Sequence, residues 1–224
     1  MRKKIFFVFC LFLVGFSASG ARAAQEISGV YDNLIVGVDP QTQTVTGHYE
    51  NATGWDEKSN APRFSCIFYL SGKKEGDHYR VKTWFPGYKK EEVARFGDLI
   101  EGTLQFGEQD KKTTVTLKLQ GEHGGCWNVD PQLKEKEGET FFPVVTGTWK
   151  EIRIVSAPKA YFYEKPDLAT KQRPYLVKGN AFRVYEKKPG WVLGDYQNTE
   201  AEKGKSPITK GWIQESDLYS PTPP

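Results

Sequence analysis

The residue types that most often perform catalysis are few in this 224-residue chain and are scattered along it. Its three histidines, His48, His78 and His123, are isolated from one another, and none belongs to an H-E-x-x-H or comparable zinc-binding spacing. The sequence also lacks a G-x-S-x-G nucleophile turn and a glycine-rich phosphate-binding loop. These absences predict a protein without a catalytic site, a bound metal or a cofactor.

Paired carboxylates are the one catalytic arrangement that this pattern leaves open, because folding can bring any two acidic residues together. Glycoside hydrolysis needs two such groups on either side of the bond that is cleaved. The best candidates are Glu50, Asp56 and Glu57, which lie near Trp55 in the sequence. A hydrolase therefore stays as an alternative function.

Cys66 and Cys126 are the two cysteines outside the N-terminal 24 residues. Cys66 lies in the strand-like apolar stretch 64–70, and not at the exposed start of a helix, where a reactive thiolate is stabilised. In an oxidising compartment, two cysteines predict one disulfide, and closing a loop of this length contributes about 2 to 4 kcal/mol to stability. The alternative is a nucleophilic cysteine that acts with a histidine.

The first 24 residues have the features of a secretory signal. Three basic residues at positions 2–4 precede an apolar run at 5–16, and small residues follow up to Ala24. The apolar run is shorter than the roughly 20 residues that a membrane-spanning helix needs. We expect cleavage near Ala23 or Ala24 and a periplasmic or secreted protein without a transmembrane segment.

Removal of the signal segment changes the charge of the chain. Residues 1–24 hold four basic residues and no acidic one, so the 31 basic and 28 acidic residues of the whole chain become 27 and 28. Nucleic-acid binding normally requires a basic stripe, and none remains in the mature sequence. The pairs Lys89-Lys90 and Lys187-Lys188 are typical of solvated turns, so we expect no nucleic-acid partner.

Alternating polar and apolar residues predict a mainly β fold. In residues 25–154, these runs are separated by glycine-rich turns and predict an antiparallel β-barrel or sandwich. The runs are at 27–38, 43–49, 63–70, 78–85, 99–106, 113–119 and 144–155. The best helix candidate is residues 89–96, which would form at most a small lid.

Several aromatic residues of this first domain are candidates for ligand or partner binding. Trp55 lies in the polar stretch 50–63, which we expect to be a loop with little core to join. Trp84 and Tyr88 belong to an aromatic turn after a predicted strand. Trp127 follows Cys126, and a disulfide would place it near Phe64 and Phe68, where packing on the bridge is the expected role. Trp149 is expected in the core or as a plug at a barrel end.

Residues 155–219 contain a series of short strand motifs separated by turns. The motifs are Ala160-Tyr-Phe-Tyr163, Tyr175-Leu-Val-Lys-Gly179, Pro189-Gly-Trp-Val192 and Gly211-Trp-Ile213. This stretch resembles the bacterial SH3 family over nearly the whole length of that fold. The resemblance implies a small SH3-like β-barrel, interrupted by a polar insert at 197–207 and followed by a disordered tail at 220–224.

The resemblance also implies a binding role. Bacterial SH3 domains recognise cell-wall peptides or partner proteins, and Tyr161, Tyr163, Tyr175 and Trp191 are the corresponding candidate contacts here. Trp212 is expected in the core. The Ala-Leu-Tyr-Asp-Tyr motif of the eukaryotic peptide groove is replaced by Ala160-Tyr-Phe-Tyr163, so binding of PxxP peptides has no support.

Together these features predict a monomeric, exported, non-catalytic binding protein that recognises a peptide, a cell-wall fragment or a protein partner in the bacterial envelope. One alternative is an inhibitor or immunity protein that acts against a toxin or a lytic enzyme. A third possibility is a cell-wall hydrolase with an unrecognised site, because bacterial SH3 modules often accompany such enzymes.

Overall fold

The computed structural model describes residues 25–85, 87, 99–197 and 208–223. The described residues form fifteen strands and four short 3-10 turns, with no α-helix among them. The mainly β architecture that the alternating sequence predicts is therefore confirmed. Four predicted features lie outside the described residues: the signal segment 1–24, Tyr88, the helix candidate 89–96 and most of the insert 197–207.

Nine strands form the first sheet. They are β1 Ser28–Tyr31, β2 Leu34–Asp39, β3 Thr44–Asp56, β4 Ala61–Glu75, β5 His78–Trp84, β6 Ile100–Gln109, β7 Lys112–Leu119, β8 Glu139–Phe141 and β9 Pro143–Gly147. They run antiparallel in the order β8-β7-β6-β5-β4-β3-β2-β1-β9. Because β8 and β9 are separated only by Phe142, the two ends of this order come together and the sheet nearly closes into a barrel.

Side chains fill the interior of this barrel. Val115, Leu117 and Leu119 of β7 are buried, as the alternating pattern of that strand predicts. Tyr49 of β3 stacks on Phe68 of β4 with ring centroids 4.9 Å apart. Such aromatic pairs bury large apolar areas and add about 0.5 to 1.5 kcal/mol beyond that burial. The inward-facing surface is therefore a packed core that holds the barrel wall rigid.

Six antiparallel strands form the second sheet. They are β10 Glu151–Ile154, β11 Ala160–Tyr163, β12 Lys171–Leu176, β13 Ala181–Lys188, β14 Trp191–Tyr196 and β15 Thr209–Gln214, in the order β10-β13-β14-β15-β11-β12. Phe162, Phe182 and Ile213 lie at the centre of a separate apolar core. Trp212 is also buried, in agreement with the expectation for it.

The predicted strand at 144–155 is divided between the two sheets. Its first part is β9, and its second part is β10, which pairs with β13. The chain folds back between them so tightly that a Cβ on Gly147 would lie 1.9 Å from the Trp149 ring. The second sheet therefore begins at Glu151, four residues before the boundary that the sequence suggests.

Strand β10 crosses the outer face of the first sheet over β2 and β3. Gly37 permits this crossing, because a Cβ at this position would come within 2.8 Å of the backbone of Glu151. The backbone N–H of Ile152 donates to the Thr46 hydroxyl at 2.7 Å, and the Tyr69 hydroxyl donates to the carbonyl of Ile152. Side chains of the first sheet thus hydrogen-bond the backbone of a strand from the second.

An apolar cluster is shared by the two sheets at this junction. It is centred on Tyr69, Trp84, Trp149, Ile152 and Ile154. The Trp149 indole N–H donates to the carbonyl of Val36 at 2.8 Å, and its ring is almost fully buried, in agreement with the core position expected for it. The two sheets are therefore joined by a common core.

Buried charges on the second sheet complete the junction. Arg153 donates to Glu151 at 3.1 Å and to the carbonyl of Tyr219 at 2.8 Å. Arg183 pairs with Asp195 at 2.5 Å and lies 4.9 Å from the Trp149 ring. Burying an arginine is costly unless its charge is paired. These contacts pair both buried guanidinium groups.

Candidate binding surface

Strands β3 and β4 continue beyond the barrel as a two-stranded ribbon, residues 50–65. Tyr49 and Cys66, at its base, are buried, whereas most of the ribbon is exposed. The expected loop at 50–63 is therefore an extension of two paired strands with a short turn at 57–60. Alternation is missing from its sequence because both faces of the ribbon lie outside the core.

Two large apolar side chains of the ribbon face solvent. Trp55 is 62% exposed and Phe64 is 42% exposed. In the strand register, Trp55 lies opposite Pro62, and Thr53 lies opposite Phe64. Diagonal positions of this kind are within reach of aromatic side chains. Trp55 is thus exposed as expected, and Phe64, which the sequence places in an apolar strand, is exposed beside it.

A disulfide fastens the base of the ribbon. Cys66 is bonded to Cys126, with the two Cα atoms 4.5 Å apart, so the predicted pairing is confirmed. Cys126 begins a 3-10 turn, Cys126–Asn128, and the Thr53 hydroxyl donates to the carbonyl of Asn128 at 3.2 Å. The turn approaches so closely that a Cβ on Gly125 would lie 2.2 Å from the Ser65 carbonyl oxygen. The ribbon is therefore held to the β7–β8 connection.

This bond gives a direct chemical prediction. The mature protein, denatured without reductant and titrated with a thiol reagent, should show no free thiol, because both of its cysteines are bonded. Prior reduction should yield two thiols per chain. Two thiols without reduction would contradict the disulfide and reopen Cys66 as a nucleophile.

Trp127 lies on the surface at the base of the ribbon. It is 61% exposed and does not pack on the disulfide as the sequence suggests. His123 takes the expected place instead, with its ring stacked on Phe68 at 5.1 Å and its Nε2 atom 2.7 Å from the Thr83 hydroxyl. We call Trp55, Phe64 and Trp127 the binding patch.

The histidines of this domain are in packing positions. Burial lowers the pKa of both His48 and His123 to about 4, so both rings are neutral at pH 7. His78 lies 3.1 Å from Asp77 at the opposite end of the barrel. Within the described residues, no group of three or more histidine, cysteine or acidic side chains has a geometry that could hold a metal ion.

The surroundings of the binding patch are acidic. Residues 50–63 and 121–139 together carry eight acidic and four basic side chains, a net charge of −4 with His123 neutral. Burial, followed by the charges of Asp130 and Asp32, raises the pKa of Glu139. The mature chain has a net charge near −1, so negative charge is concentrated at this end of the barrel.

The second sheet brings two of its candidate contacts together at the surface. Tyr161 and Tyr175 are cross-strand neighbours on β11 and β12, with ring centroids 5.4 Å apart. Lys171 lies 3.5 Å above the Tyr161 ring, and Lys159 lies 4.7 Å above the Tyr175 ring. This pair forms a second aromatic surface, with cations over both rings.

Three other candidates have different positions. Tyr163 is buried and packs edge-on against Trp191 at 4.9 Å, so Trp191 is only partly exposed. Trp84 is also buried, where it packs edge-on against Tyr69 at 5.0 Å in the junction of the two sheets. Trp84 and Tyr163 therefore differ from the expected exposed contacts, because each fills an apolar core.

Sequence reasoning missed the buried charged residues of the junction. Glu151 and Arg153 alternate with Ile152 and Ile154, a pattern that normally indicates a strand with one wet face. All four side chains are nevertheless buried, because one face of β10 covers the barrel and the charged residues find partners. No signal in the sequence alone identifies those partners.

Comparison with family models, with curated proteins and with solved structures found no match to this chain. A functional conclusion must therefore rest on the chemistry of the described surfaces.

Proposed function

We propose that this chain is an exported, non-catalytic binding protein that presents the binding patch to a protein partner. The observation that carries the proposal is the exposure of Trp55, Phe64 and Trp127 at a ribbon fastened by a disulfide. Tryptophan is the residue type most enriched among the side chains that dominate interface energies. Large aromatic side chains gathered in one exposed region mark an interaction site more often than a featureless surface.

Rigidity supports this role. Association costs free energy whenever a mobile segment has to be ordered, and a segment that is already ordered avoids this cost. The ribbon is tied to the β7–β8 connection by the disulfide and by the hydrogen bond from Thr53 to the carbonyl of Asn128. It is also continuous with two strands of the packed barrel.

The charge of this end of the barrel favours a basic partner. A net charge of −4 around the binding patch attracts a surface rich in lysine and arginine and repels an acidic one. Such complementarity raises association rates and excludes wrong partners more than it raises affinity. The proposed partner therefore has an apolar depression bordered by basic side chains.

Export is supported by two independent features. The first 24 residues have the pattern of a secretory signal, and the disulfide is typical of an oxidising compartment. Among the described residues, no helix is long and apolar enough to cross a membrane.

The bacterial SH3 resemblance remains part of the proposal for the second sheet. Its motifs fall on β11 to β15, and Tyr161 with Tyr175 supplies the surface for a cell-wall peptide or a second contact with a partner. The projecting ribbon also favours a more specific function, that of an inhibitor or immunity protein. A narrow arm with an aromatic residue near its tip is suited to occupy the cleft of a toxin or lytic enzyme.

Parallel binding experiments on purified peptidoglycan and on an envelope protein extract test the proposal. The mature wild-type protein is compared with a Trp55→Ala, Phe64→Ala variant and with Val144→Ala, which changes an equally exposed residue of β9. We expect one stoichiometric protein partner to be retained by the wild type and by Val144→Ala. The ribbon variant should lose most of it, because a dominant aromatic contact contributes about 2 kcal/mol or more, or some 30-fold in affinity.

Two outcomes would contradict the proposal. Equal retention of the partner by the ribbon variant would remove the binding patch from the interface. Retention on peptidoglycan alone, lost when residues 148–224 are deleted, would assign binding to the second sheet and to the cell wall. Thermal unfolding of each variant checks that the fold is intact.

A further inference from the structure

A groove of about 510 Å³ lies at the opposite end of the barrel from the ribbon. Its floor is the outer face of β3, β4 and β5, and one wall comes from Lys150, Glu151 and Lys187 near the junction with the second sheet. The tail residues Pro221 to Pro223, which the sequence suggests are disordered, line another side. Clefts at the meeting of two packed units are common places for ligand binding.

The strand register arranges the floor as two rows of hydrogen-bond donors. In one row, Lys73 lies opposite both Thr44 and Arg80. In the next row, Ser71 lies opposite both Thr46 and Lys82. Side chains that face each other across neighbouring strands are about 4.5 to 5.5 Å apart at their Cβ atoms. Cationic and hydroxyl groups therefore cover the floor at regular intervals.

The groove is a positively charged region in a chain that is slightly acidic after removal of its signal segment. Five basic side chains and three acidic ones line it, which gives a net charge of +2. Two of the acidic groups have basic partners inside the groove: Glu75 pairs with Arg80 at 3.2 Å, and Glu151 pairs with Lys187. The remaining positive charge comes from Lys73, Lys82 and Lys150, opposed by Asp39.

The lining chemistry selects a class of ligand. None of the described residues that line the groove is aromatic, so a neutral sugar would find no ring on which to stack. The hydroxyl and ammonium groups are suited to oxygen atoms that carry negative charge. Cations on both the floor and the wall also allow two anionic groups of one molecule to be bound at once.

We propose that this groove binds a small polyanion, a ligand that carries two or more phosphate or carboxylate groups. The site is separate from the binding patch, so this inference does not rest on the proposed function. Its affinity comes from several partly solvated ion pairs and falls as salt rises.

Titrations followed by backbone amide NMR test the inference with defined probes. Pyrophosphate and citrate represent the phosphate and carboxylate classes, and acetate at equal ionic strength is the monovalent control. We expect saturable shifts confined to residues of the groove for at least one of the two polyanions, and no saturation with acetate. Raising the salt concentration from 50 to 500 mM should weaken the binding.

Charge-neutralising variants assign the effect to the groove. Lys73→Gln with Lys150→Gln removes one cation from the floor and one from the wall, whereas Lys111→Gln with Lys112→Gln removes two exposed charges at the β6–β7 turn. We expect the first pair to weaken polyanion binding about 2- to 30-fold, as the loss of two exposed ion pairs predicts, and the second to leave it unchanged. Absence of saturable shifts with both polyanions, or equal weakening by the two pairs, would overturn the inference.

Discussion

Replacement of Trp149 with alanine is expected to lower the free energy of unfolding by about 3 to 5 kcal/mol, the usual cost of truncating a buried tryptophan. The ring lies in the core shared by the two sheets, and it faces the guanidinium of Arg183 at 4.9 Å. The substitution also removes the indole N–H that donates to the carbonyl of Val36. The carbonyl would then be left without this partner in a buried position, which adds to the cost.

Urea unfolding followed by far-ultraviolet circular dichroism measures this loss. Trp55→Ala is the matched control, because it removes the same side chain from the exposed ribbon and should change stability by less than about 0.5 kcal/mol. Similar losses for both variants would contradict the assigned positions. A small loss for Trp149→Ala would show that the two sheets do not depend on their shared core.

Stability should also fall as the pH is lowered from 7 to 5. The pKa of His48 and His123 is about 4 in the folded protein, whereas a histidine in the unfolded chain titrates near 6.5. Between these values the unfolded chain binds more protons, so the stabilisation is fully present above pH 6.5 and is lost as the pH falls towards 4. For both residues together, the expected loss between pH 7 and 5 is about 3 to 4 kcal/mol.

The test compares urea unfolding at pH 7 and pH 5 for the wild type and for His123→Gln, which can still hydrogen-bond the Thr83 hydroxyl. The variant should lose about half of the pH dependence. Glu139 and Asp217 have raised pKa values, so they oppose the effect in both proteins and cancel in the comparison. A wild-type stability that is unchanged between the two pH values would show that the histidines are not buried as described.

Local sequence pattern predicts the wall of the barrel well, because each wall strand has one face in the core and one in water. Strand β7 is an example, with Val115, Leu117 and Leu119 inside. The pattern is less informative where both faces share one environment. The ribbon around Trp55 has no buried face and resembles a loop in sequence, whereas β10 is buried on both faces and its charged residues suggest a wet one.

The candidate site was predicted in part for the same reason. The exposure of Trp55 follows from its polar neighbours, and the disulfide follows from two cysteines in an exported chain. The burial of Trp84 depends on the second sheet, which covers the outside of the barrel. The exposure of Trp127 depends on His123, which occupies the space over Phe68. Both are consequences of long-range packing that no local pattern contains.

Site-specific photo-crosslinking tests most directly whether the ribbon is the binding surface. Trp55→p-benzoyl-L-phenylalanine keeps an aromatic group on the ribbon, and the same substitution at Val144 places the crosslinker at an equally exposed position on β9. After irradiation in an envelope protein extract, position 55 should give one adduct of defined mass, and position 144 should give none. No adduct at position 55, or the same adducts from both positions, would contradict the account.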